Sequence, residues 1–269
     1  MLKSSNLHLQ SVKKDFSDAS GYAALYQQNN PTAHFFNTRL RRVAELIGDL
    51  EINKVLDMGC GPCMIGSMFN CGKTEYYGVD LSEEMIKECI SRFGHTQSFR
   101  FSVAEIEKLP FPDSCFDLVL CLGALEYVLE SNVAISEMAR VVRPGGIVVA
   151  TMLNGISPYR LWEGSIYKKL KHIRNAIGRL RRFRSGISNV KATPGLTLKL
   201  ISEKAFAYSL TSAGLKIEDV VYYDFNLALK PLDARFPRLA VSLSEKLEFL
   251  CRSKLKLLGT GFIMKGRKI

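Results

Sequence analysis

The chain has 269 residues, of which 47% are hydrophobic and 23% charged; this is long enough for a full core and excludes wholesale disorder or a fibrous repeat. Lys and Arg number 37 against 26 Asp and Glu, a formal net charge of +11, which admits nucleic acid, a phosphorylated substrate or a lipid surface as an anionic partner. The first residues lack the apolar core of a signal peptide and no apolar run reaches the ~20 residues that cross a bilayer, so a cytoplasmic protein is expected.

In chain order, the residues before Pro31, His8 among them, read as a loose tail. Pro31 to Leu50 follows, with Phe35, Phe36, Leu40, Val43 and Leu46-Ile47 near helical spacing: a helix packed on a sheet, or a lid over a ligand. From Lys54 to Met152, short apolar runs alternate with helical segments, the pattern of βαβ units and a parallel sheet. Strands are expected at Lys54–Asp57, Glu75–Asp80, Phe99–Val103, Phe116–Cys121 and Ile147–Thr151. Helices are expected from the Ser82-Glu83-Glu84-Met85 capping pattern onward and at Ser131–Arg140, and Gly145-Gly146 turns the chain into the fifth strand.

Ser157 to Arg184 is basic and amphipathic. Tyr159, Trp162, Ile166, Leu170, Ile173, Ile177 and Leu180 share one helical face, while Lys168, Lys171, Arg174, Arg181 and Arg182 lie away from it. That pattern fits an anionic membrane surface, placing the protein at the periphery of an inner membrane, and equally fits a cap over a site. Next come a helix at Ser202–Ala213, a strand at Leu215–Tyr223, a helix at Ser242–Leu258 and a last strand at Thr260–Lys265.

Seven cysteines, mostly in apolar runs, point to reduced thiols. Cys60 and Cys63 form a Cys-x-x-Cys, but no second pair or His pair completes a zinc set, and no metal is expected. The glycines of Leu56-Asp57-Met58-Gly59-Cys60-Gly61 serve instead to bring a strand-to-helix backbone close to a nucleoside. Asp57 would repel a pyrophosphate but can accept hydrogen bonds from a cationic amino-acid ligand, which disfavours a nicotinamide oxidoreductase. About twenty residues on, Asp80 ends the second strand, where a carboxylate binds both ribose hydroxyls. Met85 offers a polarisable side chain to an adenine face. After the third strand, Glu105 can accept from an adenine amino group while the Ile106 N–H donates to the ring.

These motifs, with Leu109-Pro110-Phe111-Pro112-Asp113, Phe116-Asp117-Leu118-Val119, Leu125-Glu126-Tyr127-Val128 and Arg143-Pro144-Gly145-Gly146, resemble the class I S-adenosylmethionine-dependent methyltransferases, a group that includes the ubiquinone and menaquinone pathway enzymes. The resemblance covers about Lys54 to Met152. It implies an α/β, Rossmann-like, seven-stranded and mostly parallel sheet with an antiparallel last strand. It also implies that Gly59, Cys60 and Gly61 line the methionine of S-adenosylmethionine, Asp80 the ribose, Leu81 and Met85 the adenine, and Glu105 with Ile106 the base edge. Cys121 and Gly123 would border the methionine amino group and the methyl. Glu105 departs from the more usual Asp, and Tyr127 stands where relatives often have His.

The implied organisation is a helical lid segment at 1–50, a cofactor-binding core at 51–153, a basic cap at 154–200 and completion of the sheet at 201–269. Methyl transfer needs positioning and, for a hydroxyl acceptor, a proton acceptor; Tyr127, Glu126 and His34 are the candidates. The expected acceptor is a small or lipid-like metabolite, methylated on oxygen. The stretch Cys121-Leu122-Gly123-Ala124 lacks the Asn/Asp-Pro-Pro-aromatic motif of many amino-methylating nucleic-acid enzymes, which argues against RNA or DNA. A non-catalytic homologue that binds the cofactor without turnover is the other alternative.

Overall fold

The computed structural model describes residues 2–48, 50–70, 72–167 and 198–269. Three helices come first: α1 (Leu2–Asp15), α2 (Ala19–Leu25) and α3 (Pro31–Ile47). The Asn30 side chain caps α3 by accepting from the Ala33 N–H at 2.9 Å, and Pro31 occupies the first turn, where no N–H is needed. The sheet then opens with β1 (Lys54–Met58), β2 (Glu75–Asp80), α4 (Glu83–Phe93), β3 (Phe99–Val103), β4 (Phe116–Cys121), α5 (Ser131–Val141) and β5 (Val142–Asn154). A short helix α6 (Pro158–Leu161) leads into a π-helical turn at Trp162–Tyr167. The chain is completed by β6 (Leu200–Ile201), α7 (Glu203–Ser212), β7 (Leu215–Tyr223), α8 (Leu232–Arg235), α9 (Pro237–Leu247) and β8 (Gly261–Lys268).

The strand order is β3-β2-β1-β4-β5-β8-β7, with β6 paired to β5 off this path. β8 runs antiparallel to both β5 and β7, and the pairings among β1 to β5 are parallel. The expected Rossmann-like sheet with an antiparallel last strand is therefore present, enlarged to eight strands by the two-residue β6. Val55, Leu56, Met58, Leu118, Val119, Leu120 and Val149 are fully buried, because the central strands are covered on both faces. Each such side chain contributes roughly 1.5–3 kcal/mol of transfer free energy.

Two expected elements change shape. The helix expected at 242–258 begins earlier, at Pro237, and stops at Leu247, giving way to 3-10 turns at Glu248–Arg252 and Lys256–Leu258. Its continuation is broken because Glu248 turns inward: one carboxylate oxygen takes the Asp224 N–H at 2.8 Å and the other pairs with Arg42 at 3.0 Å. The expected loose tail is helical over Leu2–Asp15, and His8 Nε2 donates to the Tyr127 carbonyl oxygen at 2.6 Å.

Candidate active site

The turn after β1 is built from backbone. The Gly59 and Cys60 N–H groups both donate to the Val79 carbonyl, at 2.8 and 3.0 Å, and Gly59 holds φ of +72°. A Cβ at Gly59 would lie 2.4 Å from that of Ala124, so glycine is required by both conformation and space. Gly61 donates to Asp80 Oδ2 and Ser82 N–H to Asp80 Oδ1, each at 2.9 Å. Asp80 thus enters the cleft already oriented, with lone pairs left for two hydroxyls. Burial raises its pKa while those backbone donors oppose the rise.

Around this carboxylate lies a cleft of about 810 Å³. Gly59, Cys60, Gly61, Asp80 and Leu81 line one end. Met85, Glu105, Ile106 and Gly123 line the remainder, with Met85 and Ile106 buried and apolar. The roof comes from α1 and α2 through His8, Leu9, Val12, Phe16, Tyr22 and Tyr26, and Phe16 packs edge-on against Tyr127 at 4.9 Å.

Asp57 and Cys121 lie elsewhere. Asp57 shares a sheet face with Tyr76 on the neighbouring strand, is 2% exposed and accepts the Tyr76 hydroxyl at 2.5 Å. Its Oδ1 has no hydrogen-bond partner, and it is not part of the cleft lining. Burial raises its pKa to about 7. Cys121 ends β4 with no exposure, and the chain reaches the cleft one residue later, at Leu122. The Cys60 thiol sits 3.9 Å from that of Cys89, which donates to the Gly61 carbonyl. Among the described residues no cluster of His, Cys, Asp or Glu could hold a metal ion.

Arg39 carries a role that sequence reasoning missed. It is 4% exposed, forms no ion pair with a carboxylate of the described residues, and its Nε has no partner. The guanidinium lies 5.3 Å from the Phe36 ring centre, and a Cβ on Gly123 would fall 2.2 Å from its Nη1. Its signal was a cation at the helical spacing of the apolar residues Phe35, Phe36 and Val43. Its Nη2 donates to the neutral Tyr26 hydroxyl at 3.3 Å, which leaves the buried charge without a compensating anion.

Tyr22, Arg39, Gly123 and Tyr127 also line a second chamber of about 870 Å³, so they form the junction between the two. The second chamber has aromatic walls at Phe35, Phe36 and Tyr159 and acidic groups at Glu126, Glu163, Asp224 and Asp233. Glu163 pairs with Arg160 at 3.1 Å and with Lys230. Asp233 accepts the Tyr159 hydroxyl at 2.6 Å, and Asp224 accepts that of Thr260. The Trp162 indole N–H donates to the Lys230 carbonyl. The first aromatic residues of the amphipathic segment are thereby anchored beside this chamber; residues 168–184 lie outside the described residues.

His34 reaches neither chamber. Five residues before Arg39, it points ~140° around α3 into an outer recess with Arg41 and Glu245, where it bonds Ser244 Oγ at 2.9 Å. Tyr127 does stand at the junction, but burial lifts its pKa to about 12. A phenol that stays neutral near pH 7 is suited to orienting a ligand and poorly suited to accepting a proton.

The strand order is that of a Rossmann-like sheet, and the glycine turn after β1 opens onto the cleft. Residues 56–150 match the family model for the methyltransferase domain, so this part of the chain is similar to methyltransferases. It is 31% identical over 154 residues to a ubiquinone biosynthesis O-methyltransferase of Alkalilimnicola ehrlichii, covering 55% of this chain and 61% of that one. It is 33% identical to a malonyl-acyl-carrier-protein O-methyltransferase of Erwinia billingiae, over 40% of this chain and 42% of the relative. The match thus spans about half the length of these curated relatives. A methyltransferase of Haloferax volcanii, solved with its Trm112 activator, shares the fold with a TM-score of 0.61 and 17% identity, over 96% of both chains.

Proposed function

We propose that this protein transfers the methyl group of S-adenosylmethionine to an oxygen atom of a small or amphiphilic metabolite. The observation that carries the reading is the pair of chambers meeting at Tyr22, Arg39, Gly123 and Tyr127: one is fitted to the cofactor, the other is free for an acceptor. In the first, Leu81, Met85 and Ile106 would hold the adenine, Glu105 and the Ile106 N–H its edge, and Asp80 the ribose hydroxyls. Gly59, Cys60 and Gly61 would pass beside the methionine chain, and Arg39 would receive its carboxylate. That contact supplies the anion the buried guanidinium lacks, which is why these residues fit this cofactor better than a neutral nucleoside.

When bound, the cofactor supplies an electrophilic methyl on a sulfonium that leaves as a neutral thioether. The protein's part is to align the acceptor with that methyl and keep water out. Tyr127 and Tyr22 at the junction set the approach, and the apolar faces of α1 and α2 close the cleft. Both curated relatives named above are O-methyltransferases, which supports oxygen as the attacked atom. A mixed aromatic and polar acceptor chamber suits an amphiphilic metabolite. In the described residues no helix is long and apolar enough to cross a membrane; contact of 159–184 with an anionic leaflet is proposed as peripheral.

The test is to incubate the protein with S-adenosylmethionine and a panel of phenols, carboxylic acids, amines and RNA, measuring S-adenosylhomocysteine. Formation with hydroxyl acceptors supports the reading. Cofactor binding without product for any acceptor identifies a non-catalytic homologue, and product with RNA alone identifies a nucleic-acid enzyme.

A further inference from the structure

The second chamber holds one acidic group that its surroundings do not satisfy. Glu126 is 3% exposed, and its Oε2 has no hydrogen-bond partner. The other carboxylates of the chamber wall are each engaged: Glu163 by Arg160 and Lys230, Asp233 by Tyr159, Asp224 by Thr260. Glu126 directly precedes Tyr127, at the junction where a methyl would emerge. A protein strands a carboxylate in an apolar wall at a cost in stability, and such a group is met repeatedly where a ligand completes it.

We propose that Glu126 is the catalytic base that takes the proton from the attacking hydroxyl, so that this chamber selects acceptors whose O–H is still protonated on entry. The inference rests on the methyl-transfer reading above. An oxygen lone pair of the acceptor forms the new bond to the methyl carbon, and the electron pair of the breaking carbon–sulfur bond stays on sulfur, giving S-adenosylhomocysteine. The O–H proton passes to Glu126 Oε2 and later to water. The sulfonium and the carboxylate are neutralised together, so no net charge is left buried.

The groups facing Glu126 agree with this role. Arg39 on α3 and Arg160 on α6 favour its ionised form from a distance, neither within ion-pair reach, while burial disfavours it and leaves its pKa near 7. Cys121 at the end of β4, Tyr223 on β7 and Tyr127 beside it all have pKa values raised well above neutrality by burial, so none competes for the proton near pH 7. A base poised at the working pH is the arrangement that general-base catalysis favours. By contrast, an acceptor that enters already ionised has nothing to give Glu126 and is repelled by it.

The test uses the full chain, its Glu126→Gln and Glu126→Asp variants, and a series of substituted phenols of graded acidity. The wild-type rate should rise with pH through about 7. Glu126→Gln should lower kcat by about 10²–10⁴ for weakly acidic phenols, by progressively less as the phenol becomes more acidic, and should leave affinity for S-adenosylmethionine unchanged. Glu126→Asp should restore part of the rate. Without any methyl donor, an infrared titration should show two buried carboxyl bands titrating near neutrality in wild type, one from Glu126 and one from Asp57; Glu126→Gln should lose the first and Asp57→Asn the second. Equal losses for all phenols, an unchanged rate, a Glu126 band titrating in the ordinary carboxylate range, or no phenol methylated by a protein that binds S-adenosylmethionine would each overturn the assignment. Failure of wild type to bind S-adenosylmethionine would instead strike the methyl-transfer reading itself.

Discussion

The two chambers that meet at Tyr127 are built by opposite means. The cofactor cleft is made largely of backbone and short-range neighbours: Gly59 to Gly61 on one turn, Asp80 to Met85 on the next, Glu105 and Ile106 on the third. Its central carboxylate is held by backbone amides of the two turns, Gly61 N–H and Ser82 N–H both donating to Asp80. The acceptor chamber is made of side chains gathered from α3, the loop after β4, α6, the loop after β7 and α8, and its carboxylates other than Glu126 are engaged by neighbouring side chains. A site made of backbone tolerates few substitutions and binds one ligand shape, whereas a site made of distant side chains can change its ligand while the fold stays intact. The contrast predicts that the cofactor is common to the class and that the acceptor is particular to this chain.

The largest expected effect breaks the link between the two regions. Arg39→Met removes the cation that would receive the methionine carboxylate, and S-adenosylmethionine affinity should fall by about 2–5 kcal/mol in a calorimetric titration. Because the guanidinium is buried without a carboxylate partner, the same variant should raise the melting temperature of the ligand-free protein. A lower melting temperature would mean that Arg39 is structural.

Next in size is Asp80→Ala, expected to cost about 1.5–3 kcal/mol of cofactor binding by removing charge-assisted hydrogen bonds to the ribose. Acceptor binding in the presence of S-adenosylhomocysteine should be unaffected. Smaller again is Gly123→Ala. Its Cβ would displace Arg39 Nη1 from 2.2 Å, and its φ of +81° adds roughly 1–3 kcal/mol of strain. Both chambers should weaken together, since Gly123 lines both. His34→Ala, in the outer recess, should leave kcat unchanged.

A further prediction concerns pH and leaves both chambers untouched. Asp57 has a folded pKa raised to about 7, above the ordinary ~3.9 of an unfolded Asp. The folded state therefore binds the extra proton between these values, and ionising Asp57 costs stability as pH rises from about 4 to about 7. Asp57→Asn should flatten that part of the stability profile, measured by thermal unfolding across pH. An unchanged slope would show that Asp57 is ionised throughout.

What the sequence made legible follows the same division. Local chemistry wrote the cofactor half: glycines where φ is positive, an acid at the end of β2, and a serine cap for α4 that the structure reproduces at Ser82. The runs of β1 and β4 were visible because both faces are largely buried, and that of β3 because its apolar residues alternate with polar ones. Arg39 was hidden because its meaning depends on Gly123 and Tyr22, far away in sequence, and not on its own neighbours. His34 looked suitable as a bare histidine, and the handedness of α3 turned it away. The break after Leu247 depended on Glu248 meeting Arg42 and Asp224, a long-range contact that no helical period encodes. The role of α1 as a roof was likewise unreadable from a segment with little apolar periodicity.

The central claim is that the glycine turn, Asp80 and Arg39 together form a site for S-adenosylmethionine. Calorimetric titration of wild type, Asp80→Ala and Arg39→Met with S-adenosylmethionine and S-adenosylhomocysteine, with NADH as control, tests it most directly. The account predicts wild-type binding of both sulfur nucleosides, marked weakening in each variant and no binding of NADH. Binding of NADH in their place, or equal affinities in all three proteins, would contradict it.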